Sequence, residues 1–408
     1  MSAFCQQSVP DVADSVANMA EKLIRKGFTA GDAYGEVWIR DLNTFMEVAC
    51  QVNDRIPIRK SLLIFLQFQQ ADGGILDGYI SKTRAKGGYN YYYSNLAPDY
   101  AGHKNTVETD QESSLIQAVA KYIKLTADTG ILKETIGGVT VHQRLSDAMH
   151  FLLNQRFDYQ YGLIWGATTA DWGDVQPEHR WGVEIDANTH KAIDIYDNAM
   201  FLIALNDFLA FSTLTAKDKE YWTVVRNKLK QHIKQHLWDR NKRKFRPHIY
   251  LNGSPFPASF DESAIYYHGG TSIAIEAGLL SRFQVLEAYQ TMQLNRQNAH
   301  ATTIGLTLYP PYPDGIFKNE VMRPYSYQNG GDWTWFGGRM VRQLIHYGYI
   351  EQAEHALIPM LQRVITNKGF YEWYTPDGRP RGSANFRGEA GILWVAIKEL
   401  KSAKGKSR

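Results

Sequence analysis

Cysteine is scarce: Cys5 and Cys50 are the two in 408 residues. Two thiols build neither a disulfide framework nor a thiolate metal centre. The 12 histidines are scattered and form no His/Asp cluster, so no metal or other cofactor is expected. No apolar run reaches the roughly 18 residues that a membrane span needs. The first ten residues carry neither the basic nor the apolar segment of a secretory leader. Charge of one sign is also missing. The net charge is +3, and the one basic run is the tail 401–408, expected to be flexible. Nucleic acid and membrane partners are not indicated. These absences describe a soluble, cytoplasmic protein whose partner is a small molecule; the oligomeric state is left open.

Aromatic side chains are plentiful, at 13% with 10 Trp and 24 Tyr. Many sit beside Gly, Asn and Asp rather than at helical core spacing, which points to aromatic-lined clefts. An apolar share of 44% and a charged share of 21% are those of a globular chain able to bury a large core.

Helical spacing recurs over about 11–26, 38–52, 58–70, 111–126, 141–156, 196–211, 216–238, 271–278, 282–293, 332–347, 350–367 and 387–400. Strand-like runs are short, a Tyr- and Gly-rich loop covers 86–103, and no composition shift marks a linker. Paired antiparallel helices each bury one stripe, and about six pairs can close into a ring. The expected fold is all-α: an (α/α)6 toroid of the six-hairpin type, one domain over 1–408, with long loops at one end. An open α-solenoid is the alternative, but no 34- or 40-residue period is visible.

The loops carry the chemistry. In 162–181, Asp171 and Asp174 bracket Trp172 and Gly173, with Trp165 and Trp181 nearby and Gly162, Gly166 and Pro177 excluding a long helix. Rings offer a sugar its flat face, and carboxylates bind hydroxyls or protonate a leaving oxygen. An Asp in such a loop also serves as a helix cap or an Asx-turn. Trp38, Arg40 and Asp41 open a helix, where a first-turn acid is favoured by the dipole. Asp110 stands at an N-cap position before Gln111 and Glu112. Asn329-Gly330 marks a turn, followed by Asp332, Trp333 and Trp335 at a helix mouth. Glu372 lies among aromatics ahead of Pro376 and Gly378, placed either as a base or as a partner of Arg379 or Arg381.

At these residues the chain resembles the (α/α)6 glycoside hydrolases and phosphorylases. Trp38-Ile-Arg-Asp41 is similar to the Trp-x-Arg-Asp of neutral invertases and glycogen-debranching glucosidases. Tyr327-Gln-Asn-Gly-Gly-Asp-Trp333 resembles the Tyr-His-Asn-Gly-Gly-x-Trp of invertases and cellobiose phosphorylases, with Gln328 in place of the histidine. Phe370-Tyr-Glu-Trp-Tyr-Thr-Pro-Asp-Gly378 resembles the base loop of invertases and processing α-glucosidases. Ala170-Asp-Trp-Gly-Asp174 resembles the phosphorylase Ala-Asp-Trp-Asn-Asp, whose second Asp is the general acid. The resemblance implies an inverting, exo-acting glycosidase for a small α-glucoside or oligosaccharide, with Asp174 as general acid and Glu372 as general base. It implies a sugar pocket of Trp38, Arg40, Asp41, Asp110, Asp171, Trp172, Asn329, Asp332, Trp333 and Trp335. A disaccharide phosphorylase and a non-catalytic carbohydrate-binding toroid are the alternatives.

Overall fold

The computed structural model describes residues 9–85, 90–181 and 183–406. Residues 86–89 of the Tyr- and Gly-rich loop and 407–408 of the tail lie outside the described residues. Twelve α-helices lie within them: α1 Val9–Ile24, α2 Ile39–Val52, α3 Arg55–Gln67, α4 Gln111–Thr126, α5 Val141–Gln155, α6 Ile195–Leu209, α7 Ala216–His232, α8 His268–Glu276, α9 Arg282–Asn298, α10 Thr334–His346, α11 Ile350–Thr366 and α12 Arg387–Lys406. Strands are two to five residues long and form small antiparallel ribbons between helices. No helix of the described residues is long and apolar enough to cross a membrane.

The even-numbered helices pack in a closed cycle: α2 on α4, α4 on α6, α6 on α8, α8 on α10, α10 on α12, and α12 back on α2. The odd-numbered helices lie against that cycle, α1 on α12 and α2, α5 on α4, α7 on α6, α11 on α10 and α12. Composition explains the division. In α6, 11 side chains from Ile195 to Phe208 are buried, whereas in α7 only Trp222 and Leu229 are. A helix apolar all round belongs inside, and a helix with a single apolar stripe belongs outside.

Two segments depart from expectation. Helix α12 continues to Lys406, so 401–406 is helical; Lys401 pairs with Asp14 of α1 and Lys404 with Glu354 of α11. Helix α7 stops at His232, and a π turn, Ile233–Leu237, leads into the hairpin Trp238–Asp239 and Lys244–Phe245.

A second apolar cluster supports the loops. Ala170 and Val175, which flank the Asp171–Asp174 stretch, pack with Phe256, Ile265, Tyr267, Leu308, Tyr312, Phe317 and Met322. Long loops hold one conformation only when they bury a core of their own. Here that core fixes the acid loop.

Candidate active site

Polar groups at the heads of α2, α4 and α6 meet at one place. Arg40 of α2 donates to Asp110, ahead of α4, through Nε at 2.7 Å and Nη2 at 3.2 Å. Tyr196 of α6 donates to the same carboxylate at 2.8 Å. Asp110 holds the N-cap position of α4 but makes no side-chain cap bond, because its oxygens are taken by Arg40 and Tyr196. Glu108 completes the ion cluster on Arg40. Against burial, Asp110 and Glu108 hold the guanidinium charged. Arg40 also lies over the rings of Trp172 at 5.2 Å and Trp335 at 5.8 Å.

Asp174 is clamped by Gln328. The amide Nε2 donates to Asp174 Oδ1 at 2.5 Å, and Oε1 accepts from the Asp174 backbone N–H at 3.2 Å. Burial raises the Asp174 carboxyl above the ordinary range, against the opposing pull of Arg40 and of the Gln328 hydrogen bond.

Glu372 lies on the strand Tyr371–Tyr374, at a register irregularity opposite Pro380–Ala384. A bulge turns one side chain out of the ladder. Its Oε1 accepts from Tyr34 Oη at 2.8 Å and its Oε2 from the Ser383 N–H at 2.8 Å. Gly382, at φ +67°, leaves the room this carboxylate needs, since a Cβ there would stand 2.4 Å from Oε2. Arg379 pairs with Asp377 and Arg381 donates to the Pro380 carbonyl, so neither takes Glu372. Burial raises Glu372 above the ordinary range against the Ser383 and Tyr34 hydrogen bonds, and Asp174 raises it further. The charge of Asp174 thus acts on Glu372 across 198 positions of sequence (372 − 174).

Asp41, in the first turn of α2, is buried, and no hydrogen bond to its carboxylate is found among the described residues. Burial, then Glu372, raise it to about 7. That proton affinity gives a prediction. The folded value stands above the unfolded carboxylate value of about 4, so the folded protein holds the proton more tightly. The resulting stability is fully present below pH 4 and is lost as pH rises through 7. Asp41→Asn removes this titration. In denaturant unfolding the variant is expected to equal wild type near pH 4 and to exceed it by about 2 kcal/mol at pH 8. A variant that gains nothing between those pH values would refute the assignment.

The remaining expected site residues fall into two groups. Trp38 is half-buried at the head of α2, edge-on to Tyr34 and His103 at 6.3 and 5.5 Å. Trp172, Trp333 and Trp335 are only 2–4% exposed and pack on each other, with Trp172 at 4.7 Å from Trp333 and 5.1 Å from Trp335. They form a buried aromatic wedge behind the carboxylates rather than open stacking surfaces. Three polar residues are turned to scaffolding. Asp171, at φ +59°, accepts the Gly270 N–H on both oxygens, at 2.8 and 3.1 Å, at the N-terminus of α8. It accepts at that helix's head, although burial raises its carboxyl well above the ordinary range against the Gly270 bond. Asn329 bonds the Tyr312 N–H and the Tyr312 and Met322 carbonyls. Asp332 pairs with Arg363 at 2.8 Å and accepts from Thr303. The polar atoms of these three are held by protein groups. Trp165 lies between Arg156 and Lys191, and Trp181 is 75% exposed, so the tryptophans of 162–181 do not assemble.

Reasoning from sequence assigned no site role to Tyr34, Asp77, Gln328, Tyr327 or Glu108. Asp77, Glu108 and Tyr34 enter the electrostatic surroundings of Asp41, Asp174, Glu372 and Tyr327. The one signal available for Asp77 was the glycine-rich step at 72–78 that carries it. Through their charges Asp41, Asp77, Glu108, Asp174 and Glu372 act on one another or on Tyr34 and Tyr327, and Trp38 packs edge-on to Tyr34. The positive ends of the inner helices and Arg40 make this density of acid tolerable. Among the described residues no three His, Cys, Asp or Glu side chains are grouped to hold a metal ion. The His232–His236 pair, with rings 6.0 Å apart, lies by Tyr161 at the end of α7.

No protein-family model and no curated protein matches the sequence. Solved structures do match. A GH63 mannosylglycerate hydrolase from Thermus thermophilus, in complex with glucose, superposes with TM-score 0.66 at 14% identity, over 93% of this chain and 99% of that one. A rhamnosidase from Klebsiella oxytoca with rhamnose bound gives 0.62 at 13% identity, over 96% of this chain and 64% of that one. A GH78 rhamnosidase of a Bacillus species gives 0.65 at 13%, over 95% of this chain and 35% of that one. The chain shares its fold with these glycoside hydrolases.

Proposed function

We propose that the protein is an inverting, exo-acting glycoside hydrolase built as an (α/α)6 toroid, acting on a small α-glucoside or oligosaccharide. The observation that carries this reading is the pairing of Asp174 and Glu372. They come from separate elements, a loop and the strand Tyr371–Tyr374, both are raised above the ordinary carboxylate range by burial, and the charge of Asp174 acts on Glu372. A raised pKa keeps a general acid protonated near neutral pH, and two carboxylates on opposite sides of a glycosidic bond suffice for hydrolysis. The cyclic packing of the even-numbered helices supports the toroid, and the fold neighbours support carbohydrate as substrate.

In this reading Asp174 gives its proton to the glycosidic oxygen as the bond to the anomeric carbon breaks. Glu372 takes a proton from a water that attacks the same carbon from the opposite face. The free sugar leaves with inverted configuration, and the proton on Glu372 returns to solvent while Asp174 is reprotonated. Inversion requires the two carboxyl groups to stand roughly 6.5–9.5 Å apart, leaving room for that water. Trp38 and Asp41 hold the sugar, and the Arg40–Asp110–Glu108 cluster keeps their helix heads in register. An ion-pair network of Glu47, Lys121, Glu276, Arg339, Arg342 and Glu399 joins the C-terminal halves of the inner helices. The phosphorylase alternative needs no base, so a Glu372 placed as a base favours the hydrolase.

Sugar release from sucrose, trehalose, maltose, isomaltose, kojibiose, cellobiose, glucosylglycerate, mannosylglycerate and aryl rhamnosides, with and without phosphate, tests the reading. The expected result is phosphate-independent release of a product whose anomer, followed by proton NMR, is inverted. Release only with phosphate would make the protein a phosphorylase, and a retained anomer would exclude inversion.

A further inference from the structure

We propose that Gln328 is the positioning residue of the general acid and confines its transferable proton to Oδ2 of Asp174. The proposal rests on Asp174 being the acid of the reading above.

The polarity of two hydrogen bonds carries it. The Asp174 backbone N–H can only donate, so the Gln328 atom facing it at 3.2 Å must be the carbonyl Oε1. That contact fixes the amide orientation, and Nε2 is then the atom directed at Asp174 Oδ1, at 2.5 Å. Nε2 can only donate, so Oδ1 must accept; the carbonyl oxygen of an acid is its better acceptor, so this contact favours the proton on Oδ2. No side-chain hydrogen bond to Oδ2 is found among the described residues. The proton of a protonated Asp174 therefore sits on Oδ2, and departure of that proton leaves a charge that Nε2–H stabilises on Oδ1.

The clamp is rigid on both sides. Gln328 is fully buried, in a turn where Tyr327 has φ +48° and Ser326 bridges Asn329. Asn329 fastens the turn to Tyr312 and Met322, and Thr307 donates to the Gln328 carbonyl at 2.8 Å. Opposite, Gly173 makes the approach possible: a Cβ there would stand 2.9 Å from Gln328 Oε1. An amide keeps one donor and one acceptor at every pH, whereas a histidine titrates near neutrality. The clamp holds in both protonation states of the acid.

A role in proton placement is separable from a role in folding by the leaving group. Fluoride departs from a glycosyl fluoride without a proton from the enzyme, whereas a disaccharide needs one. Wild type, Asp174→Asn, Gln328→Leu and the near-isosteric Gln328→Glu would be assayed on maltose, an α-mannobiose and an aryl rhamnoside. The α-glucosyl, α-mannosyl and α-rhamnosyl fluorides would be assayed alongside, with thermal unfolding of each variant. In both Gln328 variants the kcat ratio of O-glycoside to fluoride is expected to fall about tenfold or more, in the same direction as in Asp174→Asn. In Gln328→Leu the alkaline limb of the O-glycoside pH profile is expected to rise by about half a unit or more, because a bond to the charged form of the acid is lost. Equal losses on both substrate types, or an unmoved alkaline limb, would overturn the proposal while leaving the hydrolase reading standing. A wild type inactive on every disaccharide, glycoside and fluoride would overturn the hydrolase reading, and the proposal with it.

Discussion

Glu372→Gln is expected to lower kcat about 10³-fold and to leave KM within a few-fold of wild type. The substitution keeps the size of the side chain and its bonding position against the Tyr34 hydroxyl and Ser383 N–H. It removes only the ability to take a proton from water. General bases contribute about 10² to 10⁴ in rate, equivalent to roughly 3–5 kcal/mol of barrier. The pH profile adds a signature. Glu372 must be ionised to act, so its titration forms the acid limb, and burial places that limb above the usual carboxylate range. The acid limb should vanish in the variant. A glutamine variant with more than a tenth of wild-type turnover would remove Glu372 from the role of base.

Asp174→Asn is expected to cost as much on substrates with poor leaving groups, about 10³-fold in kcat, through the opposite half of the proton inventory. Asp174 must be protonated to act, so its loss to ionisation forms the alkaline limb. Burial outweighs Arg40 and the Gln328 bond and carries that limb upward. The variant should show no alkaline limb, and tight binding of the sugar should persist. Full turnover of a disaccharide by the variant would disqualify Asp174, and with it the assignment of Gln328.

The two catalytic candidates and the helices were legible for different reasons. The spacing of apolar residues marks 111–126 as a helix, and α4 is Gln111–Thr126. Gly, Pro and Trp punctuate the loops that carry Asp174 and Glu372 strongly enough to draw attention to both. Their neighbours were not legible. Tyr34 reaches Glu372 across 338 positions, and Gln328 reaches Asp174 across 154. Asp171 and Asp174 share one motif, three residues apart, yet one carboxylate takes the Gly270 N–H and the other takes Gln328. Motif density cannot tell such a pair apart, because backbone φ at Asp171 and the docking of α8 set the direction of its side chain. The same holds for Trp172, Trp333 and Trp335, which a sequence presents as sugar platforms and the fold buries against one another.

The order of residues is sufficient for the placing of helices, the long loops between them, the acid and aromatic character of those loops and the scarcity of thiols. Each of these depends on neighbours within one or two turns of chain. Closure of α12 onto α2, the meeting of polar groups at the heads of α2, α4 and α6, and the upward shift of the Asp41, Asp174 and Glu372 carboxyls belong to the tertiary structure. Proton affinity is set by desolvation and by charges through space, and those charges are supplied by residues that only the closed chain brings together.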